Sequence, residues 1–153
     1  MKPEYQKILF CSDFSLDADY AFYTALDLAE RYGAHLYLLH VLSATDSIAD
    51  ALADHPEARK DTPDEGETIE QAKQKLIDRY LHRFGGYPHY EVQVLKGVPI
   101  VEIVRFARLQ EVDLIVLGAA GSSKSNKLHF GSTAENVARR AQCTVMCIRN
   151  PKR

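Results

Sequence analysis

DLIVLGAAGSSKSNKLHFGSTAENVARR, Asp113 to Arg140, passes from one periodicity to another across a glycine-containing loop. Asp113–Leu117 is a short, nearly continuous apolar run, the pattern of a strand covered on both faces. Ala134, Val137, Ala138 and Ala141 then recur at three- and four-residue steps, so a helix with one buried face follows. Ser132 with Glu135 three residues on has the capping-box spacing and is expected to start that helix.

Outward from this stretch the same alternation continues. Lys7–Cys11 (KILFC), His35–Val41 (HLYLLHV), Tyr90–Leu95 (YEVQVL) and Thr144–Ile148 (TVMCI) read as further strands. Ala18, Ala21, Phe22, Ala25, Ala29 and Tyr32 predict a first helix, with Ser15 as N-cap, Asp17 and Asp19 in its first turn and Gly33 as its stop. Ile69, Ala72, Leu76, Tyr80 and Phe84 predict a second, stopped by Gly85 and Gly86. Pro99 opens a third that buries Ile100, Ile103, Val104 and Ala107. Strict alternation of strand and helix implies parallel strands, right-handed crossovers and helices on both faces of the sheet. Glu91 and Gln93 interrupt the third strand, which suits an edge, whereas the second and fourth runs suit the interior. The expected fold is therefore α/β, with five parallel strands in the order 3-2-1-4-5. Its direction of progress reverses between strands one and four, where ligands bind in such sheets. The fifth strand becomes the other edge; it is apolar on both faces, and a second copy of the chain is the simplest cover.

With 153 residues, the chain has the length of one domain. Its 46% hydrophobic and 26% charged residues exclude a disordered or fibrous chain. A formal charge of −2 offers no chain-wide attraction for nucleic acid. The apolar runs fall far short of the roughly 20 residues of a membrane span. MKPEYQKILFCSDF is unlike a secretory signal, so the cytoplasm is the expected compartment. Cys11, Cys143 and Cys147 make no disulfide or zinc spacing, and Cys143 and Cys147 are expected to be buried thiols. The acids concentrate locally: residues 45–70 hold nine acids (Asp46, Asp50, Asp54, Glu57, Asp61, Asp64, Glu65, Glu67 and Glu70) against Arg59 and Lys60. Within it, 45–67 is expected to be a mobile connection, with a short helix at Ile48–Ala53 and, in a second reading, a partner-docking role.

The loop between Leu117 and Ser132 carries the chemistry. Glycines at a strand end and a helix start let amides approach an anion, and a helix amino terminus favours negative charge. Ser122, Ser123, Ser132 and Thr133 add hydroxyls, and Lys124 and Lys127 add positive charge. Phosphate is the guest this pattern suits. The spacing is neither GxxxxGK[ST] nor GxGxxG. On spacing alone the same glycines also suit plain turns, and Ser132 with Glu135 a plain cap. The six histidines, His35, His40, His55, His82, His89 and His129, form no ligand pair, so neither metal binding nor a His-based triad is expected. Paired carboxylates near the glycines are also missing from the sequence, so no catalytic residue is assigned.

Taken whole, the sequence resembles the universal stress protein family, whose nucleotide-binding members carry G-x2-G-x9-G-[S/T]. Gly118, Gly121, Gly131 and Ser132 match that signature without a gap. The likeness extends through DLIVLG before it, AENVARRAQCTVMCIRN after it, Gly97-Val98-Pro99, and Ile8–Asp13. It implies a Rossmann-like fold, akin to the adenine nucleotide alpha hydrolases, and ATP as ligand, with or without Mg2+. It also implies a homodimer through 144–148, and a sensor or switch in the stress response with little or no hydrolysis. Residue by residue, Asp13 matches the acid that approaches adenosine, beside Cys11 and Ser12. Val41 matches an adenine contact, and Leu117 the apolar residue before the first glycine. Gly118, Gly121, Ser122, Gly131, Ser132 and Thr133 match the ribose and phosphate cradle. Cys11 stands where the family usually has Pro or Val, and Ala119-Ala120 where Ser-His is common. A nucleotide-independent interaction module and a slow ATPase stay open as alternatives.

Overall fold

The computed structural model describes residues 4–43, 67–120 and 131–151. Among the described residues, five strands and four α-helices alternate: β1 Lys7–Cys11, α1 Leu16–Tyr32, β2 His35–Ser43, α2 Ile69–Tyr80, β3 Tyr90–Gly97, α3 Pro99–Leu109, β4 Leu114–Gly118, α4 Ser132–Arg140 and β5 Thr144–Ile148. Every strand pair is parallel, in the order β3-β2-β1-β4-β5. The expected architecture and strand order are therefore those of the protein.

Side chains alternate across the sheet and divide the core in two. Ile8, Phe10, Leu36, Leu38, Leu114 and Val116 face α1 and α2, where Phe22, Leu76 and Tyr80 cover them. Leu9, Cys11, Tyr37, Leu39, Ile115 and Leu117 face α3 and α4, which contribute Ile103, Phe106, Ala107, Ala134 and Val137. Inner strands buried on both sides explain the uninterrupted apolar runs, and each fully buried Leu, Ile or Phe contributes about 1.5–3 kcal/mol. At the β5 edge, Val145, Met146, Cys147 and Ile148 are only half-buried.

Local signals place the helices. Ser15 caps α1, its hydroxyl accepting from the Ala18 amide at 3.1 Å. Gly33 closes that helix at φ 63°, a left-handed turn that favours glycine. Thr68 and Gln71 form a reciprocal capping box on α2, a spacing present in the sequence but not singled out there. Three expectations need correction. The second helix ends at Tyr80 and tightens into a 3-10 turn, Leu81–Arg83, with Phe84 N–H donating to Leu81. Gly131, not Ser132, is the N-cap of α4: extended backbone (ψ 145°) lies at Gly131, Ser132 is already helical, and the Glu135 carboxylate pairs with Arg139 instead. Cys143 precedes β5, and Cys143 and Cys147 are half-buried because they lie at the open edge.

The connection at 45–66 with its short helix at Ile48–Ala53, and Gly121, Ser122, Ser123, Lys124, Lys127 and His129, lie outside the described residues. Among the described residues no helix is long and apolar enough to cross a membrane.

Candidate functional site

At the end of β1, Cys11 stands opposite Leu39 of β2 and Leu117 of β4, and β2 runs on to Ser43. Chain progress reverses between β1 and β4, so a crevice opens beyond their carboxyl ends. There the structure has a cleft of about 450 Å³, lined by Cys11, Ser12, Asp13, Leu39, His40, Val41, Pro99, Ile103, Leu117, Gly118, Gly131, Ser132, Thr133 and Ala134. That volume lies within the roughly 300–1,000 Å³ of small-molecule sites. All the expected site residues that the structure describes, Cys11, Ser12, Asp13, Val41, Leu117, Gly118, Gly131, Ser132 and Thr133, meet in this cleft. Sequence reasoning had placed Leu39, Pro99 and Ile103 in elements but not in a site. His40 went unremarked among scattered histidines, although its place beside Val41 at a strand end was a usable signal.

One wall is apolar and one is polar. Leu39, Val41, Pro99, Ile103 and Leu117 make the first. The second is the start of α4. Gly131 has no side chain to cap it, and the Ser132 and Thr133 amides meet no acceptor among the described residues. Two uncapped first-turn amides with the helix dipole behind them suit an anion.

Not every glycine and amide here serves the cleft. The Ala119 amide donates to Ile148 at 2.8 Å, the Ala120 amide to Asp17 at 3.0 Å, and the Gly131 amide to Ala119 at 2.7 Å. Of the expected phosphate cradle, the Gly131 amide is thus bonded within the protein, as are those of Ala119 and Ala120. A Cβ at Gly118 would lie 2.8 Å from the Ala18 nitrogen and 2.9 Å from the Asp17 carbonyl carbon. Close approach of α1 to β4 therefore requires that glycine.

Asp17 is the main residue that the sequence did not mark. It is fully buried, and its two carboxylate oxygens accept from Ala120 after β4 and Asn150 after β5. Rather than merely complementing the α1 dipole, it ties two strand ends to the helix that covers them.

At the end of β1 the chain turns sharply. Asp13 accepts from the Ser15 amide at 3.0 Å, Ser12 Oγ from the Phe14 amide at 3.0 Å, and Phe14 is left-handed at φ 62°. The Ser12 carbonyl accepts from His40 Nδ1 at 2.7 Å, which fixes that nitrogen as the protonated one. On the cleft floor, burial and then the neighbouring Asp13 push the Cys11 thiol far above its ordinary range, so it stays protonated and unreactive.

An open parallel sheet with a cleft at its switch point defines a doubly wound α/β protein with a candidate ligand site. Residues 4–149 match the model of the universal stress protein family, and the chain belongs to that family. It is 29% identical to the universal stress protein MJ0531 of Methanocaldococcus jannaschii, over 97% of this chain and 85% of that one. Among solved structures, the universal stress protein UspA from Lactobacillus plantarum superposes with a TM-score of 0.73 at 28% identity, covering 97% of this chain and all of that one. A universal stress protein in complex with cAMP shares the fold, with a TM-score of 0.66 at 23% identity over 95% of this chain and 98% of that one.

Proposed function

We propose that this chain binds an adenine nucleotide, ATP foremost, in the cleft. It would act in the cytoplasm as a nucleotide-dependent sensor or switch of the stress response, with residues 1–153 forming one domain. The observation that carries the reading is that apolar side chains and the uncapped amides at the start of α4 line one cleft. The base lies against Val41 and Leu117, Asp13 approaches the adenosine, and Ser132 and Thr133 hold phosphate with Gly121 and Ser122, while Gly131 leaves room for it. Bound Mg2+ would sit on the phosphates. Hydrolysis is slow or nil in this reading, because among the described residues Asp13 is the single carboxylate lining the cleft, with no second one beside it to polarise water. The cAMP complex belongs to a protein alike in fold, so the ligand reading rests on this chain's own residues.

Equilibrium dialysis against an equimolar mixture of ATP, GTP, CTP and UTP tests it. An excess of ATP on the protein side is expected. Equal partition of all four would defeat the adenine assignment. The bonded amides of Ala119, Ala120 and Gly131 favour a second reading, an interaction module without nucleotide, and that reading predicts no excess.

The half-buried β5 edge supports homodimer formation through strand pairing. Val145→Lys is expected to lower the mass measured by analytical ultracentrifugation from dimer to monomer. Equal masses for the two proteins would reject pairing through this strand.

A further inference from the structure

The turn that carries Asp13 is held from beneath by a chain of hydrogen bonds that ends in a different helix. Tyr80, on α2, is fully buried; its hydroxyl donates to Asp19 Oδ1 at 3.0 Å and lies 2.7 Å from Ser12 Oγ. A carboxylate only accepts, so the tyrosine proton is committed to Asp19 and Ser12 must donate to the tyrosine oxygen. Ser12 Oγ in turn accepts from the Phe14 amide. Arg79 holds the far end, gripping both Asp19 oxygens at 2.8 Å. Every donor in this series therefore runs one way, from the Phe14 amide through Ser12 and Tyr80 to an anchored carboxylate. Chains of this kind strengthen one another.

The turn requires such support. A left-handed phenylalanine costs roughly 1–3 kcal/mol and persists only where its surroundings over-determine it. Tyr80 is also locked sideways, its ring 5.2 Å from Phe10 and 4.8 Å from Phe22.

We propose that Tyr80 is a positioning residue for the nucleotide cleft: through Ser12 it fixes the turn that presents Asp13, although it does not line the cleft itself. This inference rests on the adenine-nucleotide reading, and α2 thereby sets the geometry of a site built by β1 and α4.

Tyr80→Phe removes the hydroxyl and leaves the ring in place. Its ATP affinity is expected to fall about tenfold, the loss that one misplaced polar contact produces. In an Asp13→Ala background the same substitution is expected to cost less than about threefold, because the group it positions is gone. A merely structural tyrosine would give equal losses in both backgrounds, and that result overturns the proposal. Ser12→Ala cuts the chain at its other end and is expected to match Tyr80→Phe. A separate readout needs no ligand. Amide hydrogen exchange at Phe14 and Ser15 is expected to quicken at least about fivefold in Tyr80→Phe. Unchanged exchange refutes positioning whether or not the protein binds ATP, whereas quickened exchange without ATP binding refutes only the nucleotide reading.

Discussion

Asp17→Ala is expected to lower unfolding stability by about 2 kcal/mol, from removing a buried carboxylate that now satisfies two part-buried amides. Ala120 and Asn150 donate to its two oxygens at 3.0 and 3.1 Å, and the side chain is completely enclosed. Asp27 supplies the contrast within the same helix: its ion pair with Arg31, at 2.8 Å, is exposed at both ends. Exposed pairs of this spacing contribute about 0.3–0.5 kcal/mol, so Asp27→Ala should be nearly silent. Urea unfolding distinguishes them as a large midpoint shift for one variant and almost none for the other, at unchanged slope. Equal shifts would show that Asp17 is not the clamp inferred from its bonds.

Gly131→Val carries the second large effect, on binding rather than folding. Gly131 is at φ −63° and ψ 145°, a conformation open to any residue, so the substitution puts little strain on the backbone. It does place a branched side chain on the cleft lining, directly before the Ser132 and Thr133 amides. At ATP a hundredfold above Kd, the wild-type protein gains about 2.7 kcal/mol. For a chain of this size that raises Tm by about 5–10 °C. The variant should lose this rise while its ligand-free Tm stays close to wild type. A preserved rise would mean that phosphate does not lie at the start of α4.

Only one of these two predictions starts from a feature legible in the sequence. The prediction for Gly131 starts from a local feature, a glycine before a helix start, although spacing alone suits a plain turn as well. That for Asp17 does not. Asp17 and Asp19 look alike as first-turn acids, and what separates them lies far away in the chain: Ala120 and Asn150 for one, Arg79 and Tyr80 for the other. The packing role of Gly118 was hidden for the same reason, since the atoms that exclude its Cβ belong to α1. Ser132 and Glu135 showed the opposite failure: a correct local spacing gave way once the extended backbone fell one residue earlier, at Gly131. Strand order, by contrast, was readable because burial writes itself into composition. Glu91 and Gln93 are tolerable only where one flank is open, and β3 is indeed an edge. The cleft followed from that order, since the reversal between β1 and β4 gathers Asp13, Val41, Leu117 and Gly131 at one end of the sheet.

Calorimetric titration of ATP into the purified protein tests the central claim most directly. The account predicts one saturable site per chain with Kd below about 1 mM. No saturable heat at several times that concentration, confirmed by equilibrium dialysis, would contradict it.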